Sequence, residues 1–322
     1  VSAAEAPRHG LPPGGRAPDR VWWLETADAV RLRAALWRAE RPVGHAILLS
    51  GRTEFIEKTS LTAAGLVARR LSAVSVDWRG QGLSDRLVEP PAKGHVGDFA
   101  EFQVDLDALL ADPETVDLPG PRVMVAHSMG ALVGVAALAR PEAAAGVRAA
   151  ILSAPLFGLN LPWWLRILFR AAILTARLLR QGERWPPFGR VATTYALTEP
   201  GKNVLTTDPG TWAWLRENAR ANPQLTIATP TLAWFDAMER ETARVRRLPP
   251  PPCRCLCLLG GDERVVQPRA IRDWCAAAGA RLAEVPGARH EPFAEAPPLR
   301  AMAWAAVDEF LAETAALDAS AD

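Results

Sequence analysis

The sequence has almost no excess of charge of either sign, with 37 Lys and Arg against 36 Asp and Glu in 322 residues. A chain this near neutrality carries no basic footprint, and nucleic acid is not expected as a partner. Cysteine is scarce, with four in all, which argues against a disulfide-stapled secreted scaffold. The Pro- and Gly-rich opening lacks a basic head followed by an apolar run, so no signal peptide is read and a cytoplasmic location is the default. Long apolar runs are missing too. The longest uncharged stretch, residues 149–165, is broken by Pro155, Asn160 and Pro162 and falls short of the about 20 residues that a spanning helix needs. No internal repeat is present. What remains is 49% apolar and 23% charged, the composition of a globular chain with ample core.

The pattern along that chain is specific. Residues 21–25 and 30–37 read as strands around a turn-prone tetrapeptide, which predicts an antiparallel hairpin. Short runs rich in Val, Ile and Leu follow at 45–50, 73–77, 122–127 and 147–153, with helix-length segments between them at 59–70, 98–111 and 129–140. Strands alternating with helices imply an α/β fold, a mostly parallel sheet flanked by helices. The alternation lapses from Pro155 to about Thr229 and resumes with a helix near 231–247, a strand at 253–259, a helix at 268–278, a strand at 281–285 and a last helix near 298–313. The organisation expected is therefore a flexible start (1–19), a core in two parts (20–154 and 231–322) and a helical cap inserted between them (155–230). Cys253, Cys255 and Cys257 alternate along one strand. They lie about 6.6 Å apart in steps of two residues, too far for a shared zinc with bonds of about 2.3 Å, so packing is the expected role.

One turn carries a candidate nucleophile. Val125-Ala126-His127-Ser128-Met129-Gly130 joins an apolar strand to an Ala-rich helix, the setting of the G-x-S-x-G elbow with Ala126 in place of the first glycine. A serine hydroxyl is a poor nucleophile near neutral pH and needs a histidine base, itself oriented by a carboxylate. The chain has five histidines. His9 lies in the loose start, His45 opens a strand, His95 is in a loop and His127 adjoins the serine on the wrong side. His290 remains, in a loop after the last predicted strand. Before it, Gly260-Gly261-Asp262-Glu263 follows another strand. Ser128, Asp262 and His290 thus occur in the order Ser, Asp, His, each just past a strand of a parallel sheet and so on one edge. Asp262 is preferred as the acid from the usual loop position; Glu263 is the rival, with its side chain expected on the other side of the turn.

With these positions in place, the chain resembles the α/β-hydrolases of the lysophospholipase and monoacylglycerol-lipase branch, a group that includes serine aminopeptidase-like members. The resemblance runs from about Val21 to Leu311. It includes Ser50-Gly51-Arg52-Thr53-Glu54-Phe55, similar to the family's His-Gly-x loop with Ser50 where His is usual, and Asp77-Trp78-Arg79-Gly80-Gln81-Gly82-Leu83-Ser84-Asp85, similar to its Asp-x-x-Gly-x-Gly-x-Ser turn. It implies that the backbone N–H groups of Arg52 and Met129 form the oxyanion hole, that the second motif is a structural turn, and that neither metal nor organic cofactor is needed. It also implies a serine ester hydrolase acting on monoacyl lipids. An acyltransferase or a general carboxylesterase would share the same acyl-enzyme, whereas a non-catalytic binding protein of this fold would typically have lost a triad member.

The insertion bears on the substrate. Residues 163–181 read as one helix on which Arg166, Arg170, Arg177 and Arg180 fall within about 40° of a line. Between Leu156 and Arg190 six Arg face a single Glu. The plain expectation is a lid with its apolar face over the site and a solvated basic face. The sharper one sets the arginine stripe against anionic lipid head groups, with Trp163 and Trp164 at the interface, as a peripheral membrane contact. Peptide cleavage ranks low, because a free α-amino group would call for acidic residues in the cap.

Overall fold

The structure, a computed structural model, describes residues 4–187, 194–197 and 203–319. Arg190 of the basic cluster, the rest of 188–193, and 198–202 of the expected cap lie outside the described residues, as do 1–3 and 320–322. The strands are β1 (Arg20–Glu25), β2 (Arg31–Trp37), β3 (Gly44–Leu49), β4 (Leu71–Val76), β5 (Arg122–His127), β6 (Val147–Ser153), β7 (Arg254–Gly260) and β8 (Arg281–Val285). The helices are α1 (Ile56–Ala68), α2 (Ala100–Ala111), α3 (Pro113–Val116), α4 (Met129–Leu138), α5 (Pro141–Ala144), α6 (Trp163–Leu178), α7 (Pro209–Ala221), α8 (Leu232–Val245), α9 (Pro268–Ala278) and α10 (Pro297–Ala319).

All eight strands form one sheet in the order β1-β2-β4-β3-β5-β6-β7-β8. The first two pairings are antiparallel and the rest parallel, so the hairpin is an antiparallel edge on a parallel sheet. Both faces of the central strands are covered, which is why they read as continuous apolar runs instead of alternating ones. Ile47, Leu49, Met124 and Ala126 enter one core with α2, α4, α8 and α9, while Ala46, Leu48, Val123 and Val125 enter a second core with α1 and α10. Cys255 and Cys257 lie in the first core, with Cys253 packed against it. The fold is that of the α/β-hydrolases, as expected.

Residues 4–19, read from composition as loose, run along the sheet edge: Ala6 N–H donates to Val21 O, Trp23 N–H to Ala4 O, and Trp37 Nε1 to Arg16 O. The first long helix begins at Ile56, ahead of the expected Thr59. Phe55 offers no side-chain cap, and Asp77 Oδ1 accepts the Ile56 N–H from across the sheet, a long-range cap that local sequence cannot announce.

α6 departs from expectation in two ways. It ends at Leu178, not Gln181, because Arg180 takes a left-handed turn (φ 53°) and Gln181 N–H reaches back to Ala176 O, a Schellman closure. Arg180 therefore lies beyond the helix, off the stripe. The helix is also rotated relative to the lid reading. Arg177 pairs with Asp236 and Arg170 approaches Glu239 at 3.8 Å, both on α8, while Arg166 is exposed. The apolar residues Trp163, Trp164, Ile167, Leu168, Leu174 and Leu178 face solvent, Trp163 at 75% exposure.

Candidate active site

Four loops converge at the C-terminal ends of the parallel strands: the loop after β3, the elbow after β5, the turn after β7 and the loop after β8. Ser128 stands between β5 and α4 with φ 51° and ψ −113°, a conformation that costs about 1–3 kcal/mol in a residue with a side chain. Its N–H donates to Ser153 O at 2.9 Å, which anchors the bend to β6. Small neighbours make the bend possible. A Cβ on Gly130 would collide with the Leu49 and Ser50 carbonyls. Further into α4, a Cβ on Gly134 would stand 2.8 Å from Met124 Sδ and 3.2 Å from Leu49 Cδ1, so the helix is small where it passes β5 and β3.

The hydroxyl of Ser128 lies 3.0 Å from His290 Nε2, and His290 Nδ1 lies 2.8 Å from Glu263 Oε2. Ser128 and His290 are both buried. The acid beside the histidine is thus Glu263, and Asp262 is not. Asp262 is exposed, with its backbone N–H fixed to Ala288 O at 2.8 Å. The turn explains the shift. Gly260 and Gly261 continue the path of β7 past β8, because Gly261 N–H donates to Val285 O and a Cβ on Gly260 would strike the Ala288 and Arg289 carbonyls. The chain bends inward one residue later than expected, and the longer glutamate spans the remaining gap. Glu263 Oε1 accepts the Val265 and Val266 N–H groups at 2.6 and 3.1 Å. Burial opposes ionisation of Glu263, but the His290 charge and these amides outweigh it and hold the carboxyl below its ordinary range.

The loop after β3 places Arg52 next to the elbow; a Cβ on Gly51 would stand 3.3 Å from that of Ser128. The amides on either side are spoken for: Gly51 N–H donates to Glu54 and Thr53 N–H to Gln81 Oε1 at 2.7 Å. Those of Arg52 and Met129 have no protein acceptor among the described residues, Met129 being the first residue of α4. This leaves two amides of the kind an oxyanion hole needs. Gln81, in the turn expected to be structural, sits between them, its Nε2 3.9 Å from Met129 Sδ.

Beneath this surface lies a group that sequence reading did not find. Lys58 Nζ is 2.6 Å from Glu291 and 3.2 Å from Glu54, all three buried. Glu54 holds the oxyanion loop and Glu291 follows His290, so one ammonium joins two site loops. Glu54, His127 and Glu291 bring potential metal-ligand atoms within 4.8 Å of one another, but the Lys58 ammonium already engages both carboxylates. Ser50 Oγ, Ser153 Oγ and Glu291 Oε2 have no protein partner among the described residues. Their residues line a cavity of about 30 Å³ beside the end of β5. The only sequence hint was the Glu54–Lys58 spacing, common on any exposed helix.

Arg52 carries a second feature. Its guanidinium donates to the Ala228 carbonyl in the segment before α8 and lies 5.5 Å over the Trp234 ring, while Nε is buried without an acceptor.

Comparison with known proteins agrees with this architecture. Residues 40–297 match the family described as serine aminopeptidase, S33. A probable lysophospholipase L2 of Haemophilus influenzae is 28% identical over 267 residues, 82% of each chain. Lysophospholipase L2 of Escherichia coli is 27% identical over 306 residues, 88% of this chain and 84% of that protein. A soluble variant of monoglyceride lipase from Saccharomyces cerevisiae, solved with a substrate analog, superposes with a TM-score of 0.70 at 17% identity, covering 93% of this chain and 95% of that one.

Two outcomes are expected. Glu263→Gln lowers kcat by about 10³- to 10⁴-fold, as loss of the orienting carboxylate does in serine triads, while Asp262→Asn stays within a few-fold of wild type; the reverse order in ester-turnover assays would restore Asp262. Lys58→Met leaves buried carboxylates uncompensated and costs about 3–5 kcal/mol in urea unfolding at neutral pH. The pH dependence follows from Glu54. Burial would raise its carboxyl, but the Lys58 charge prevails and holds it at about 2. Wild type therefore gains stability above the unfolded value of about 4.3 and loses it as pH falls through the folded value. Without Lys58 burial prevails and the folded pKa rises, so the variant's deficit must narrow on acidification; a deficit constant from pH 7 to 4 would contradict the pairing.

Proposed function

The chain belongs to the serine aminopeptidase S33 family of α/β-hydrolases, and on that premise we propose that it is a serine carboxylic-ester hydrolase acting on monoacyl lipids, of the lysophospholipase or monoacylglycerol-lipase type. The observation that carries this reading is the buried chain of contacts from Ser128 Oγ through His290 to Glu263.

In this reading Ser128 Oγ attacks the ester carbonyl carbon while its proton passes to His290 Nε2. The oxyanion that develops accepts from the Arg52 and Met129 amides, already aimed and needing no reorganisation. Glu263 holds Nδ1–H and stabilises the imidazolium. As the tetrahedral species collapses, the ester oxygen of the leaving alcohol takes the proton from His290 and departs, leaving an acyl group on Ser128. Water then gives a proton to His290 and attacks the acyl carbon, and the second collapse returns the proton to Ser128 and frees the fatty acid. An acyl acceptor other than water would use the same intermediate, which keeps acyl transfer as the alternative activity.

The names of the Haemophilus and Escherichia relatives support a lysophospholipid substrate, and the yeast neighbour supports monoacylglycerol. A peptide's α-amino group is disfavoured by the Arg52 cation, which no carboxylate among the described residues pairs with.

The finer proposal concerns the membrane. Among the described residues no helix is long and apolar enough to cross a bilayer. The exposed apolar face of α6 suits shallow insertion at a lipid surface, with Arg166 at its flank for anionic head groups. The arginine stripe proposed from sequence is largely turned toward α8, so the apolar face takes the leading part.

Fatty-acid release from a matched lysophospholipid, monoacylglycerol and short-chain ester, measured for wild type and Ser128→Ala, tests the activity. The mutant is expected to lose release by at least about 10⁴-fold; wild-type silence on all three esters would point instead to acyl transfer or to a binding role. In vesicle sedimentation at low salt, Trp163→Ser with Ile167→Ser is expected to weaken binding to anionic vesicles by about 10-fold or more. Equal binding by the double variant would remove α6 from the lipid contact.

A further inference from the structure

Four deeply placed guanidinium groups can be compared within this protein. Arg33 is satisfied by Glu57 and Asp77, and Arg79 by Asp105 and Asp28. Arg86 has no acid in ion-pair contact but donates to the carbonyls of Gly80, Gly82 and Gln224. Arg52 has neither arrangement. It donates to one carbonyl, that of Ala228, faces the Trp234 ring, and keeps a buried Nε with no acceptor. No carboxylate among the described residues pairs with it, and burial, with nothing to offset it, pulls its pKa down from the ordinary guanidine value. A buried cation is costly unless it is paired. An arginine whose fork is left partly unused suits a multi-oxygen anion, a phosphate or a carboxylate, that arrives as ligand.

Its place on the chain says which part of a ligand it meets. The backbone N–H of the same residue is one of the two amides offered to the oxyanion, and its side chain extends from there to the segment before α8. An ester carbonyl held at the amide therefore has the guanidinium on the alcohol or the acyl side of the bond. The wall at this point joins the Trp234 ring to the Ala228 and Gly94 carbonyls, which already accept from Arg52 and Thr231. The charge that stands free there is the guanidinium itself, and a cation favours an anionic leaving group over a hydrocarbon tail.

We propose that Arg52 is the specificity-determining residue for the leaving group: its guanidinium binds the phosphate of a monoacyl glycerophospholipid while its own backbone amide binds the ester oxyanion. The inference rests on the ester-hydrolase reading and narrows it from two substrate classes to the phosphate-bearing one. It requires no change in the chemistry of Ser128. The binding energy is gained at the phosphate, which the glycerol carbons separate from the bond that breaks.

The experiment has two arms. In the first, kcat/KM is measured for 1-acyl lysophosphatidylglycerol and for 1-monoacylglycerol of the same chain length, below the concentration at which either aggregates. The quantity read is their ratio. Arg52→Gln, which retains the backbone amide, is expected to lower the ratio by about 10- to 100-fold, the range for a lost charge-assisted hydrogen bond. Arg52→Lys is expected to restore part of it. A fall of equal size on both lipids would overturn the proposal and leave Arg52 as an anchor of the cap. In the second arm, calorimetry follows sn-glycerol 3-phosphate and, separately, laurate binding to Ser128→Ala with Arg52 intact and with Arg52→Gln. Binding of glycerophosphate that disappears in the Arg52 variant supports the proposal. No glycerophosphate binding to Ser128→Ala, or Arg52-dependent binding of laurate alone, overturns it. Failure of the broader reading is separately visible, as wild-type silence on both lipids in the first arm with glycerophosphate still bound in the second.

Discussion

A single ammonium holds the working surface together. Lys58, on α1, is buried with the carboxylates of Glu54 and Glu291 and meets both. Each carboxylate stands at the root of a different loop: Glu54 folds back on Gly51 N–H and shapes the loop after β3, and Glu291 is bonded to the residue that carries the imidazole. Ser128 is fixed independently, by its N–H to Ser153 O bond. Three groups from three strand ends must meet within hydrogen-bond distance, and strands alone place their ends only as well as the sheet twist allows. The buried ion cluster supplies the remaining precision. Its replacement by an apolar group of similar volume could match its stability, but would not fix where the two loops stand.

The same economy governs the elbow. Strain at Ser128 is tolerated because its own N–H donates to Ser153 O and its own carbonyl accepts from Ala131, Leu132 and Leu156, and because Gly130 is small where α4 passes the end of β3.

How much of this was legible follows from how local each signal is. Ser128 could be read because an elbow needs a strand, a tight turn and an Ala-rich helix in succession, all local. His290 could be read because the chain has few histidines and only one stands past a late strand. The parallel sheet and its hairpin edge followed from short apolar runs of the right length. Glu263 was misjudged because the choice between adjacent acids depends on where the chain turns inward, and that is set by the contact of Gly260 and Gly261 with a strand and loop more than twenty residues away. The start of α1 was missed for the same reason, its cap being a carboxylate on another element. For α6 the periodicity identified which residues share a face. It could not say which face turns inward, since the acidic residues that attract Arg170 and Arg177 belong to α8.

The attachment of the segment between β6 and α8 is uneven, and the unevenness bears on which part of it can move. Near the core it is held by Thr231 N–H to Gly94 O, Ala228 N–H to Ala92 O, the Arg52 side chain and a buried Trp234 that packs against Phe99. At α6 the contacts thin to Ile173 and Ala176 against Leu232, the Phe169 and Phe235 rings, and exposed ion pairs of a kind worth about 0–1 kcal/mol each. Elements held by few buried contacts open at lower free energy than the core. Movement of α6 would therefore cost little, while the segment beside Arg52 stays with the oxyanion loop. An apolar face left in water adds nothing to the stability of the closed arrangement, and covering it with lipid would favour whichever arrangement presents it most fully. The part of this segment next to Arg52 is thus built to be rigid, and the part that meets the surroundings is built to yield.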